Sequence, residues 1–118
     1  MAEPERLICE SPALVDSGKA VRFEVEYFGE RVPAFVLRFR GRVYGYLNRC
    51  GHMPMELDWR EGEVFDAEGR DLICSTHGAA YAADSGKCLG GPCGSTPLVA
   101  LRVEERDGKV YFEGIDDD

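Results

Sequence analysis

Residues 20–28 read AVRFEVEYF, with Val21, Phe23, Val25 and Tyr27 alternating against Arg22, Glu24 and Glu26. A period of two puts the apolar set on one face and the charges on the other, which is the pattern of a half-buried β-strand. Residues 33–39 and 43–47 continue as strands, and Arg40-Gly41-Arg42 between them reads as a hairpin turn. Downstream, shorter strand signals cover residues 71–74, a piece around Tyr81, and residues 98–103 and 109–112. Asp107-Gly108 separates the last two, and an Asp-Gly pair is a strong two-residue hairpin signal. Gly86, Gly90, Gly91, Pro92, Gly94 and Pro97 punctuate one stretch, which reads as loop. No window shows a convincing helical period. The expected fold is small, all-β and loop-rich, and 118 residues fit a single domain.

Composition narrows the function. Hydrophobic residues at 44% and charged residues at 31% describe an ordinary globular chain rather than a disordered one. The 14 Lys and Arg against 22 Asp and Glu give a net charge of −8, which argues against nucleic acid, whose phosphates need a concentrated basic patch. No apolar run reaches the roughly 18 residues of a membrane span. The start, MAEPERLICE, lacks the basic and apolar regions of a signal peptide. A cytoplasmic protein is therefore expected.

Five cysteines stand at positions 9, 50, 74, 88 and 93, and both histidines lie beside one, in Cys50-Gly51-His52 and Cys74-Ser75-Thr76-His77. An odd number of cysteines in a reducing compartment disfavours a disulfide framework and favours metal binding or chemistry. Each Cys/His pair fits the tip of one loop, and the 21 residues 53–73 bring the second loop beside the first. Structural zinc sites pair like ligands at wider spacings. Here each loop offers one thiolate and one imidazole, and the C-x-H spacing grips a single ion poorly. The set suits a [2Fe–2S] cluster with two thiolates on one iron and two imidazoles on the other. A structural zinc site remains the alternative.

The sequence resembles the Rieske family. Its C-x-H … C-x-x-H pattern is met by Cys50, His52, Cys74 and His77, Gly78 follows the second histidine, and Gly91-Pro92 falls where the family places a proline loop. The resemblance implies one [2Fe–2S] cluster bound by those four residues. It also implies a Rieske-like β-sandwich, with its base at about 1–43 and 98–118 and a cluster-binding part at about 44–97. Around the cluster it places Met53, Gly78, Tyr81 and Pro92, and Met53 and Pro54 are expected to shield it from water. Replacing two thiolates by neutral imidazoles makes the centre less negative, hence easier to reduce than an all-cysteine one.

Quinol-oxidising relatives add an inter-loop disulfide, whose positions here are Met55 and Thr76, and a membrane anchor. Oxygenase subunits add a mononuclear iron domain, which would need further histidines. The resemblance therefore implies a free-standing, ferredoxin-like electron carrier rather than an enzyme, served by a reductase donor and an oxygenase or reductase acceptor. A small reductase subunit, as with nitrite reductases, and a redox-sensing subunit are the alternatives. In high-potential relatives a serine just after His-Gly and a tyrosine two residues on donate hydrogen bonds to the cluster sulfurs. Those positions are Ala79 and Tyr81, so a low potential is expected. Tyr81 reads either as that donor or as a core aromatic.

Residues 53–73 hold seven acids and two arginines, net −5. The segment reads as a solvated loop or as a docking surface for a basic redox partner. Trp59 within it is expected to be a packing anchor. Cys88 and Cys93, five apart around Gly90-Gly91-Pro92, read as a disulfide, as ligands or, the expectation, as free thiols under the proline loop, and Cys9 is expected to be a strand residue.

Overall fold

The computed structural model describes residues 6–27, 29–49, 62–66, 68–74, 78–90 and 97–116. The alternating stretch forms strand β2, Val21–Tyr27, which follows β1, Arg6–Glu10, and a 3₁₀ turn at Ser11–Ala13. Next come β3, Glu30–Phe39, and β4, Arg42–Leu47. The turn between them places Arg40 and Gly41 at φ 52° and 82°, left-handed values that suit a two-residue hairpin. Three short strands follow, β5 (Asp71–Ile73), β6 (Ala80–Ala82) and β7 (Cys88–Gly90). The chain ends in β8, Ala100–Arg106, and β9, Lys109–Asp116, joined through Asp107 and Gly108 at φ 52° and 74°. No α-helix occurs among the described residues, and no helix there is long and apolar enough to cross a membrane.

The strands make two antiparallel sheets, one in the order β1-β9-β8-β4-β3-β2 and one in the order β5-β6-β7. Residues 44–47, expected from the sequence in the cluster-binding part, run in β4 of the larger sheet. That sheet curls until its two ends meet. Arg6 of β1 donates to the Glu24 carbonyl of β2, and its guanidinium lies 5.6 Å from the Phe23 ring centre and 5.5 Å from that of Phe112.

β3 explains why two sheets form one body. Ala34, Val36, Phe35 and Leu37 are all fully buried, so the period of two separates two interiors rather than core from water. Val32 and Ala34 pack with Val25, Leu47, Leu101 and Phe112 inside the curl, and Val36 with Leu14 and Val110. Phe35, Leu37 and Phe39 face the opposite way and pack with Leu72, Cys74, Ala79 and Tyr81 from the small sheet. Tyr46 of β4 joins this second interior, and its hydroxyl donates to the Ala83 carbonyl at 2.7 Å.

One partly buried ion pair fixes the entry to the sheet. Arg38 of β3 grips Glu105 of β8 through both amino groups, with Nη1 donating to Oε1 at 2.9 Å. Its Nε donates to the Leu14 carbonyl at 2.9 Å, and Nη2 to that of Ser11 at 3.3 Å. The guanidinium holds the Glu105 carboxyl down at about 2, against an ordinary value of 4.5. A depressed carboxyl stabilises the fold at pH above its ordinary value, and the contribution fades as pH falls from 4.5 toward 2. Glu105→Gln is therefore expected to lower the urea midpoint at pH 7 and to flatten its decline across that acid window. An acid limb as steep as that of the parent would remove Glu105 as its cause.

Candidate functional site

β5 and β6 are joined by the second Cys/His loop. Cys74 follows β5 directly and is buried, with a free thiol. Its N–H donates to the Ala79 carbonyl and its carbonyl accepts from Gly78 N–H, both at 2.8 Å. These two bonds pin both ends of residues 74–79 to each other. Gly78 makes the closure at φ 76°, a left-handed conformation in which a side chain is strained. Ala79 is fully buried, and Gly78 is exposed. Tyr81 is fully buried two residues further on, opposite Leu72 in the ladder and in the same apolar cluster as Cys74.

Of the residues singled out in the sequence, the structure thus places Cys74, Gly78 and Tyr81 together at one end of the small sheet. Cys50, His52, Met53, His77 and Pro92 lie outside the described residues. The first loop is approached by Asn48, just beyond β4, whose N–H donates to the Pro33 carbonyl at 2.8 Å. Asn48 is the one fully buried polar side chain among the described residues, two positions before Cys50. Sequence reasoning passed over it, although an Asn between a strand and a ligand motif was there to be noticed.

The acidic segment is not simply a solvated loop in its second half. Val64 is fully buried, Phe65 stacks on Phe39 with ring centres 6.1 Å apart, and Phe65 bridges to Leu72 of β5. The chain before β2 straps this piece down, with Ala20 N–H donating to the Gly62 carbonyl at 2.8 Å and Ser17 Oγ to that of Gly69 at 2.6 Å. The Asp66 carboxylate accepts from Arg70 N–H at 3.0 Å and is lowered by such backbone donors against its desolvation. Glu63 and Glu68 remain exposed. Trp59 lies outside the described residues.

Two cysteine expectations resolve differently. Cys9 lies in β1 as a free, partly buried thiol, pushed up by burial and so poorly reactive. Cys88, expected as a free thiol, is instead disulfide-bonded on β7. The expectation weighed compartment and cysteine number, which carry no information on which sulfurs the fold brings within bonding distance. Cys93 lies outside the described residues.

The Rieske [2Fe–2S] domain family matches residues 6–106, and the chain belongs to that family. Among solved structures, a chain from the complex of reduced oxygenase and oxidized ferredoxin in carbazole 1,9a-dioxygenase is similar at 24% identity. The match covers 93% of each chain with a TM-score of 0.71. The ferredoxin of carbazole 1,9a-dioxygenase from Nocardioides aromaticivorans IC177 is 20% identical over 95% of this chain and 99% of that one, with a TM-score of 0.70. The Sphingomonas yanoikuyae B1 ferredoxin is 21% identical over 93% and 98%, with a TM-score of 0.69. No curated protein sequence matches significantly.

The family implies one [2Fe–2S] cluster as the cofactor. The described half of the site fits that group. Cluster ligation needs a deprotonated cysteine on a stiff loop away from bulk water. Cys74 is free and buried, and its loop is closed by the two short backbone bonds described above.

Proposed function

We propose that this protein is a soluble, cytoplasmic one-electron carrier that accepts electrons from a reductase and passes them to an oxygenase. Cys50 and Cys74 would hold the cluster by their thiolates, and His52 and His77 by their imidazoles. The observation that carries this reading is the C-x-H and C-x-x-H pair in a chain that the family spans from residue 6 to residue 106. The ferredoxins match it along nearly their whole length, which supports a free-standing carrier.

The bound group supplies a one-electron couple at a higher potential than an all-cysteine cluster. The protein's own residues set access and tuning. His52 and His77, as imidazole ligands, would couple proton uptake to reduction. Met53 and Pro54 would exclude water, and Gly78 lets the second loop turn tightly. Tyr81 would donate toward a cysteine sulfur of the bound cluster, whereas Ala79 supplies no donor, so the potential would lie toward the low end of the Rieske range.

Exposed Glu63 and Glu68 leave the acidic segment able to steer a basic partner. Dithionite reduction should give the paramagnetic resonance signal of a Rieske cluster, and the reduced protein should transfer one electron to a Rieske oxygenase. The transfer rate should fall as salt shortens the Debye length from about 30 to about 8 Å. Glu63→Gln with Glu68→Gln should flatten that dependence. One zinc per chain with no sulfide would overturn the proposal, and a salt-independent rate would remove the docking role of the acids.

A further inference from the structure

β4 and β8 are neighbours in the larger sheet, yet they keep ladder register at only two positions, Gly45↔Leu101 and Tyr46↔Ala100. Past Gly45 the strands leave the ladder, and a cleft of about 470 Å³ opens there, lined by residues of both. Asp84 and Ser85, in the turn between β6 and β7, add a wall from the small sheet. That turn lies at the other end of β6 from Gly78 and Cys74, so the cleft is separate from the second Cys/His loop. Its volume falls in the range of small-molecule sites.

Two opposite charges line this cleft without partners. The side chains of Arg102 on β8 and Asp84 make no ion pair or hydrogen bond among the described residues, either with each other or with a third group. The Arg102 guanidinium rests on Gly114 of β9, where a β-carbon would sit 2.6 Å from Nη2. Glu113 lines the cleft too, but Arg106 engages it at 3.9 Å. Tyr44 and Ala100, both half-buried, give the same cleft apolar surface.

We propose that this cleft binds a small zwitterion, an α-amino acid with an apolar side chain. Its carboxylate accepts from the fork of N–H donors on Arg102, its ammonium donates to the Asp84 carboxylate, and its side chain covers Tyr44 and Ala100. A simple anion would meet the unpaired charge of Asp84, and a simple cation that of Arg102. Only a ligand carrying both charges satisfies the two at once. Arg102 belongs to the larger sheet and Asp84 to a turn of the small one. A bound zwitterion therefore adds a second tie across the joint that the Tyr46 hydroxyl makes to the Ala83 carbonyl. Both charges are exposed, so each pair is weaker than a buried one and millimolar ligand is the range to search.

Calorimetric titration of the oxidised, cluster-loaded protein with L-phenylalanine and L-leucine tests this. Each is run beside the acid that lacks its ammonium and the amine that lacks its carboxylate. One or both amino acids should bind at a single saturable site, and the matching acid and amine about ten-fold or more weakly, as the loss of one charge-assisted pair implies. Arg102→Gln should bring the amino acid down to the affinity of its amine, and Asp84→Asn to that of its acid. Both side chains are exposed, so these variants keep the fold. Silence from both amino acids at millimolar concentration, an acid or amine that binds as tightly as its amino acid, or binding indifferent to either substitution would each overturn the proposal.

Discussion

Replacing Cys74 with alanine will give a protein that keeps its larger sheet but retains almost no iron or acid-labile sulfide. Disturbing even an outer partner of a metal ligand costs roughly 10–100-fold in affinity, and removing a direct ligand costs more. The loop itself has no need of the thiol, because the bonds between Cys74 and residues 78 and 79 are made by backbone groups. Far-ultraviolet circular dichroism should therefore stay strand-like while the visible spectrum vanishes. His52→Ala is expected to behave in the same way. Full iron and sulfide in either variant would break the ligand assignment.

The second large effect is at Tyr46. Its ring fills the interior between the sheets, 6.1 Å from that of Phe35, and lies so close to Gly86 that a β-carbon there would sit 2.8 Å from it. Gly86 closes the turn that leads into β7, accepting from Leu98 N–H and donating to the Ala82 carbonyl. Burial pushes the Tyr46 hydroxyl well above the usual range, so it stays protonated and remains a donor to Ala83. Tyr46→Ala should cost about 3–5 kcal/mol, the range for an aromatic cut from a core. Tyr46→Phe should cost about 1–3 kcal/mol by leaving the Ala83 carbonyl unpaired. Urea unfolding of the two variants checks the order, and an equal cost for both would mean that the ring itself contributes nothing.

What the sequence made legible follows from pattern strength. The alternation of β2 and the Asp-Gly hairpin are local signals, and both appear where expected. β1 was legible only at Cys9, expected in a strand, because Leu7, Ile8 and Cys9 are apolar in succession and show no period that fixes its bounds. β7 was read as loop since glycine and proline surround its three residues, and only pairing with β6 makes it a strand. Val64 and Phe65 were submerged in an acidic average, although two apolar neighbours suffice to dock a segment. For the site, the Cys/His spacing named Cys74, and the family resemblance named Gly78. The bond at Cys88 depends on through-space proximity, which no spacing rule reports.

The meeting of β1 and β2 bears on how such a protein survives in a crowded cell. An open six-stranded sheet would offer two rows of unpaired amides and carbonyls to any passing strand, the usual start of aggregation. Here the two end strands approach each other, and the charged head of Arg6 lies over both the Phe23 and Phe112 rings at the seam. For the carrier proposed above, which would collide repeatedly with its redox partners and stick to none for long, such a shielded border on the larger sheet is an advantage.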